Sequence, residues 1–365
     1  MMQATFQRVI ELAIAIQQIP APTFQEQARV AFVRERFLAE GGMQVEEDGA
    51  GNVLACLVGM GRSGPLVVSA HLDTVFPLDA NLRVQRDSDR VYGAGIGDNA
   101  LGVAALFGLA WLLKERNLNL PGDLWLAATV GEEGLGNLKG MTSLVERFGN
   151  TPLAYLVLEG MSLGHVYHRG LGVRRERISI RTEGGHSWTD YGNPSAVHEL
   201  ARLATRLTGI PLPGKPRCTL NVGKITGGTS INTIAAEAWL ELDLRSESAE
   251  ALEHLSQTVE KICADFRSPG IQVDVELIGS RPAGELDGSH RLVKLAVSAL
   301  QKQGLQPVLN IASTEANLPL SLGYPALALG LTQGANGHTL HEYILTDPLR
   351  QGMEQLVGLV EAVYC

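Results

Sequence analysis

Cysteine is scarce in this 365-residue sequence. The four present, Cys56, Cys218, Cys263 and Cys365, lie far apart and without CxxC spacing. A chain of this length needs no disulfide staples, so they read as free thiols in a reducing compartment. Positive charge is also short: 30 Lys and Arg against 39 Asp and Glu give a net charge of -9, which argues against a nucleic-acid partner. The longest apolar run, "LGVAALFGLAWLL", holds two glycines and falls short of the roughly 20 residues that span a bilayer. At the N-terminus Glu11 interrupts the apolar run, which reads as an amphipathic helix and not as a signal peptide. No repeat or low-complexity tract is visible. These absences point to a cytoplasmic protein that engages neither membrane nor nucleic acid.

What is present is an ordinary globular composition, 45% hydrophobic and 19% charged, in a chain long enough for two domains. The first half alternates strand-like runs ("PLVVSAHLD", "DLWLAATV", "LAYLVLEG") with the helical pattern "NALGVAALFGLAWLLKER". That order predicts a doubly wound α/β domain with a mostly parallel sheet. The style returns in "LVKLAVSALQKQG", "YPALALGL" and "LRQGMEQLVGLVEAVY". Between them the order is β-α-β-β-α-β, that of a ferredoxin-like unit, with Asn193 and Pro194 placed to start its first helix. The predicted division is therefore a discontinuous domain of residues 1–169 and 282–365, with an inserted α+β domain over 170–281.

The run "PLVVSAHLDTV" goes from Leu66, Val67 and Val68 to His71 and Asp73 within a few residues. Polar groups ending a buried strand are costly unless something uses them. Other strands of the first domain end similarly: Glu132 and Glu133 follow "LWLAATV", Glu159 follows "YLVL", and His338 follows "PALALG" by a loop. Ligands of open parallel sheets bind outside the carboxyl ends of the strands, so these groups should meet on one rim. Asp98 opens the helix "NALGVAALFGLAWLL". Singly each has a plainer reading, an N-cap for Asp98 or a solvated pair for Glu132 and Glu133. Together, two His, one Asp and two Glu, with a spare Glu beside them, suit zinc, cobalt or manganese better than calcium or magnesium. "GAGIGDNALG" imitates a dinucleotide loop, but the third glycine of G-x-G-x-x-G is replaced by Asp98, whose charge would repel a pyrophosphate.

The ordered series "SAHLDTV", "GAGIGDNALG", "TVGEEGLG", "VLEG", "STEANLPLSLGYPALALG" and "GHTLHEY" resembles the M20 family of di-metal peptidases and amidohydrolases, especially its peptidase T-like branch. The resemblance covers nearly the whole chain. It implies two divalent ions, zinc first, bridged by Asp98, with His71 and Glu159 completing one site and Glu133 and His338 the other. It further implies that Asp73 holds the ring of His71 and that Glu132 is the general base. In the inserted lid and dimerisation domain it implies His186 on the substrate carbonyl, across a homodimer interface, and substrate contacts from Asn232, Arg245 and Asn317. Without it, Asn232 would read as a turn cap and Arg245 as a strand-end ion pair. Glu315 and Glu159 stand where that branch commonly has Asp, which keeps charge and changes reach. His341 reads as a bystander, and His165 and His168 as surface residues. The expected activity is hydrolysis of short peptides. The alternative is N-acyl-amino-acid deacylation, and a non-catalytic metal-binding scaffold is a further reading.

Overall fold

The computed structural model describes residues 2–365. It divides into two compact units, Met1–Gly170 with Gly284–Cys365, and Leu171–Ala283.

The larger unit is a mixed α/β fold around a nine-stranded sheet. Its centre is four parallel strands in the order Leu124–Thr129, Leu66–His71, Tyr155–Glu159 and Ala326–Gly330. Antiparallel pairing enters at the flanks, through Val53–Leu57 on one side and His165–Gly170 on the other. Side chains along a strand alternate between faces, and here both faces are covered. Val68, Ala70, Leu126 and Leu158 pack into the core with the helices Met2–Gln17, Leu101–Glu115, Arg291–Lys302 and Leu349–Tyr364. Val67, Ala127 and Val157 pack with Met141 and Leu144 of the helix Lys139–Phe148. This is why the strands read as unbroken apolar runs.

Register then decides where the polar ends fall. His71 lies opposite Thr129, and Glu159 opposite Gly330, so all four central strands end at one rim. The long helix extends past the apolar run read from the sequence. With the turn before it, Ile96–Glu115 reaches 20 residues, long and apolar enough for a bilayer by composition, but its apolar window is 94% buried in the protein. Its hydrophobicity serves the core: every residue from Leu101 to Leu113 is buried.

The smaller unit carries a four-stranded antiparallel sheet in the order Cys218–Gly227, Glu237–Ser246, Gly172–Thr182, Ile271–Arg281, with the helices Ala196–Thr208 and Ala249–Asp265 forming its core. Its first helix starts at Ala196, after Ser195 at the cap position, so Pro194 lies outside it. A two-stranded ribbon, Gly185–His186 with Thr233–Ile234, stands apart from the sheet.

Candidate metal centre

Asp98 lies in the irregular turn Ile96–Ala100, before the helix and not as its cap: the cap position is Ala100 and no side chain caps there. The carboxylate is therefore free of that duty. Its Oδ1 is 3.1 Å from His71 Nε2 and its Oδ2 is 2.9 Å from His338 Nε2. His338 Nε2 is also 3.1 Å from Glu133 Oε1. One carboxylate thus offers a separate oxygen to each of two imidazoles. Ligand atoms of His71, Asp98 and Glu133 all lie within 4.8 Å of one another, and this mixed nitrogen and oxygen donor set fits divalent transition-metal ions.

Asp73 does more than hold a ring. His71 Nδ1 makes its closest contact, 3.0 Å, with the Asp73 backbone carbonyl, while the Asp73 carboxylate stands 3.6 Å away. That carboxylate accepts the backbone N–H of Glu132 at 2.9 Å, the N–H of Glu133 at 2.8 Å and the Thr23 hydroxyl at 2.8 Å. One buried residue therefore fixes the histidine through its carbonyl and the paired glutamates of the neighbouring strand end through its carboxylate. Below it the buried Arg29 donates to the carbonyls of Leu72 and Ile19. Burial lowers the Arg29 pKa to about 10, against the pull of Asp73.

The loop bearing Asp98 is tied down by two residues that sequence reasoning did not assign. Glu342, fully buried, accepts the backbone N–H groups of Gly95, Gly97 and Asp98 at 2.9, 2.7 and 2.9 Å. Burial raises its pKa to about 7, against those hydrogen bonds. Asn99 donates to the Leu158 carbonyl at 2.7 Å and accepts the Gly160 N–H at 3.0 Å, which joins the loop to the strand end that carries Glu159. The approach is close enough that a Cβ on Gly160 would lie 2.0 Å from the Gly97 carbonyl oxygen, so the "EG" of "VLEG" has a steric cause. The signal for Glu342 was a lone acid inside the quoted "HTLHEY"; Asn99 had none beyond its place after Asp98. His338 is held in the left-handed region, φ +65°, a costly backbone for a residue with a Cβ.

The electrostatics favour positive charge at the rim. Burial pushes His71 down, but the Asp73 and Asp98 carboxylates outweigh it and leave the ring well above the ordinary imidazole range. Hydrogen bonds to Asp98 and Glu133 raise His338 to about 10. Asp98 resists burial and is held low by the two imidazoles. Burial raises Glu159 well above the carboxylate range; His71 opposes this, and Asp98, Glu132 and Glu315 add to it. Glu315 is fully buried, accepts Ser69 Oγ at 3.1 Å and is raised by burial. Carboxylates crowded this closely call for a cation among them.

The remaining predicted residues fall elsewhere. Asn317 is fully buried and its amide oxygen accepts the Thr314 N–H at 3.0 Å, which braces its own turn. In the smaller unit, His186 and Asn232 are exposed, and Arg245 is forked onto Asp243 at 2.7 and 3.4 Å. His165 and His168 are half-buried on the strand His165–Gly170 and not simply at the surface: His168 Nδ1 is 2.6 Å from the Leu286 carbonyl and His165 stacks on Tyr167. Beside Glu133 lies a cavity of about 320 Å³ with Pro22, Val75, Phe76 and Pro77 on its walls.

A parallel sheet that delivers histidines and carboxylates to one rim, around a carboxylate shared by two imidazoles, defines the class of metal-dependent hydrolases. The family follows from the chain itself: residues 67–362 match peptidase family M20/M25/M40, and the protein belongs to it. Enzymes of this family use a dinuclear metal centre. Among its relatives is YqjE, an uncharacterized protein of Bacillus subtilis strain 168, 26% identical over 97% of this chain and 98% of that one. The fold is shared with the aminopeptidase PepT of Bacillus cereus ATCC 10987 (TM-score 0.79, 22% identity) and a tripeptidase of Staphylococcus aureus Mu50 (TM-score 0.81, 22% identity), each covering 98% of both chains.

Proposed function

We propose that this protein is a cytoplasmic exopeptidase that hydrolyses the amide bond of short peptides with two divalent metal ions. The observation that carries the reading is the Asp98 carboxylate, with one oxygen on His71 and the other on His338. His71 and Glu159 would hold one ion, Glu133 and His338 the other, and Asp98 both. Zinc suits the donor set best, with cobalt and manganese as alternatives. When bound, such a pair of ions polarises a carbonyl and lowers the pKa of a water molecule towards about 7.

The chain's own residues supply the rest. Glu132 shares the Asp73-braced turn with Glu133 and is nearly buried, at 5% exposure. As general base it takes the proton from the attacking water and returns it to the leaving amine. The inserted unit serves as lid and homodimer contact, with His186 donating to the carbonyl oxygen as negative charge develops there. Asn232 orients the substrate, and Arg245, with Nε and one Nη on Asp243, offers its remaining donors to a substrate carboxylate. The apolar walls beside Glu133 suit an apolar side chain next to the scissile bond.

A panel of dipeptides, tripeptides and N-acyl amino acids, offered to the metal-loaded protein, tests the reading. Turnover of the free peptides supports it. Turnover confined to acyl amino acids makes the protein a deacylase, and turnover of neither makes it a metal-binding scaffold.

A further inference from the structure

His186 sits in a turn built around one acid. Asp190 Oδ2 accepts the backbone N–H of His186 at 2.7 Å and the Thr189 hydroxyl at 3.3 Å. The Asp190 N–H returns to the His186 carbonyl at 3.0 Å. The chain closes so tightly that a Cβ on Gly185, at φ +145°, would lie 2.8 Å from the Asp190 Cβ. Within this turn the ring nitrogen Nδ1 of His186 receives the backbone N–H of Trp188 at 3.2 Å and of Thr189 at 3.4 Å. A ring nitrogen that accepts N–H groups carries no proton, so the neutral imidazole carries its proton on Nε2.

We infer that Asp190 is a positioning residue that closes the Gly185–Asp190 turn on His186 and so fixes the ring as a hydrogen-bond donor through Nε2. The inference rests on the reading of His186 as donor to the substrate carbonyl. An oxyanion donor must be aimed before charge develops, because reorganising it during the reaction forfeits its advantage. His186 lies on an exposed ribbon, paired with Thr233 and tied by the Ser187 N–H to the Asn232 carbonyl at 3.0 Å, and the hydrogen bonds of its own turn set the aim of its ring. Asp190 gives one oxygen, Oδ2, to two donors of that turn.

The test is a double-mutant cycle with a spectroscopic control. Asp190→Ala should lower kcat by about ten- to hundredfold with KM little changed, and Asp190→Asn, which keeps an acceptor oxygen, should restore most of it. In the His186→Ala background, Asp190→Ala should cost nothing further. Nitrogen-15 imidazole spectra of the wild-type protein near neutral pH should show His186 with its proton on Nε2 and Nδ1 as acceptor, a pattern that Asp190→Ala degrades. A full additional loss in the double variant, or an unchanged His186 spectrum in Asp190→Ala, overturns the inference. A fully active His186→Ala protein fails the reading of His186 instead, while the spectra still decide whether Asp190 sets the ring.

Discussion

The two units hold their polar residues in opposite ways. In the larger one, His71, Asp73, Glu132 and Glu133 are nearly or fully buried, and each is fixed by a partner distant in sequence. In the smaller one, His186 and Asn232 are exposed on a paired ribbon, and their side chains are held only by bonds within a few residues, as in Ser230 to Asn232 at 2.5 Å. The first arrangement suits groups that must keep a fixed spacing under charge. The second suits groups that meet their partner only when something arrives. Losses in the rim should therefore be large and accompanied by loss of metal, and losses in the ribbon smaller and confined to turnover or substrate binding.

The strongest break should come from Asp98→Ala, which removes the group shared by His71 and His338. Turnover should fall by at least about a thousandfold and metal retention should fall with it, both read on one preparation by kinetics and elemental analysis. Retention of the full metal complement would show that Asp98 bridges nothing. Next, Glu132→Gln should cost about a hundredfold or more in kcat and leave metal content intact, because only the proton acceptor is lost. Metal loss in that variant would mean that the jobs of Glu132 and Glu133 are exchanged.

Two smaller effects sharpen the contrast. Glu342→Gln weakens the clasp on the Gly95–Asp98 backbone without removing a ligand side chain, so metal affinity should drop by about ten- to hundredfold in a chelator competition. An unchanged affinity would mean that the loop keeps its place without that charge. On the smaller unit, Arg245→Lys should raise KM about tenfold for carboxylate-bearing peptides with little change in kcat, since an ammonium cannot hold Asp243 and a substrate carboxylate in one plane as the guanidinium does. A kcat effect with constant KM would move Arg245 from binding to chemistry.

The rim was legible because its cause is local. An apolar strand that ends in a histidine or glutamate marks the end of a parallel sheet, and "PLVVSAHLD", "LWLAATV" and "YLVLEG" all do so. The shared carboxylate could be named from its motif, but its freedom from capping could be seen only from the irregular turn. The supports were hidden for a physical reason. Glu342 reaches Gly97 across 245 residues, and Asp73 reaches Glu133 across 60, contacts that no window of sequence contains. The burial of Asn317 was equally hidden, because a polar residue in a motif looks exposed until the fold covers it. The apolar run of the helix Leu101–Glu115 was read as no bilayer span, and its surface answers to other helices and the sheet.

The central claim is that Asp98 stands between two cations. Titration of the metal-stripped protein with zinc, followed by calorimetry and by elemental analysis after gel filtration, measures it directly. The account predicts saturation at two ions per chain in the wild-type protein. Saturation at one ion, with His338 and Glu133 dispensable for its binding, would contradict it.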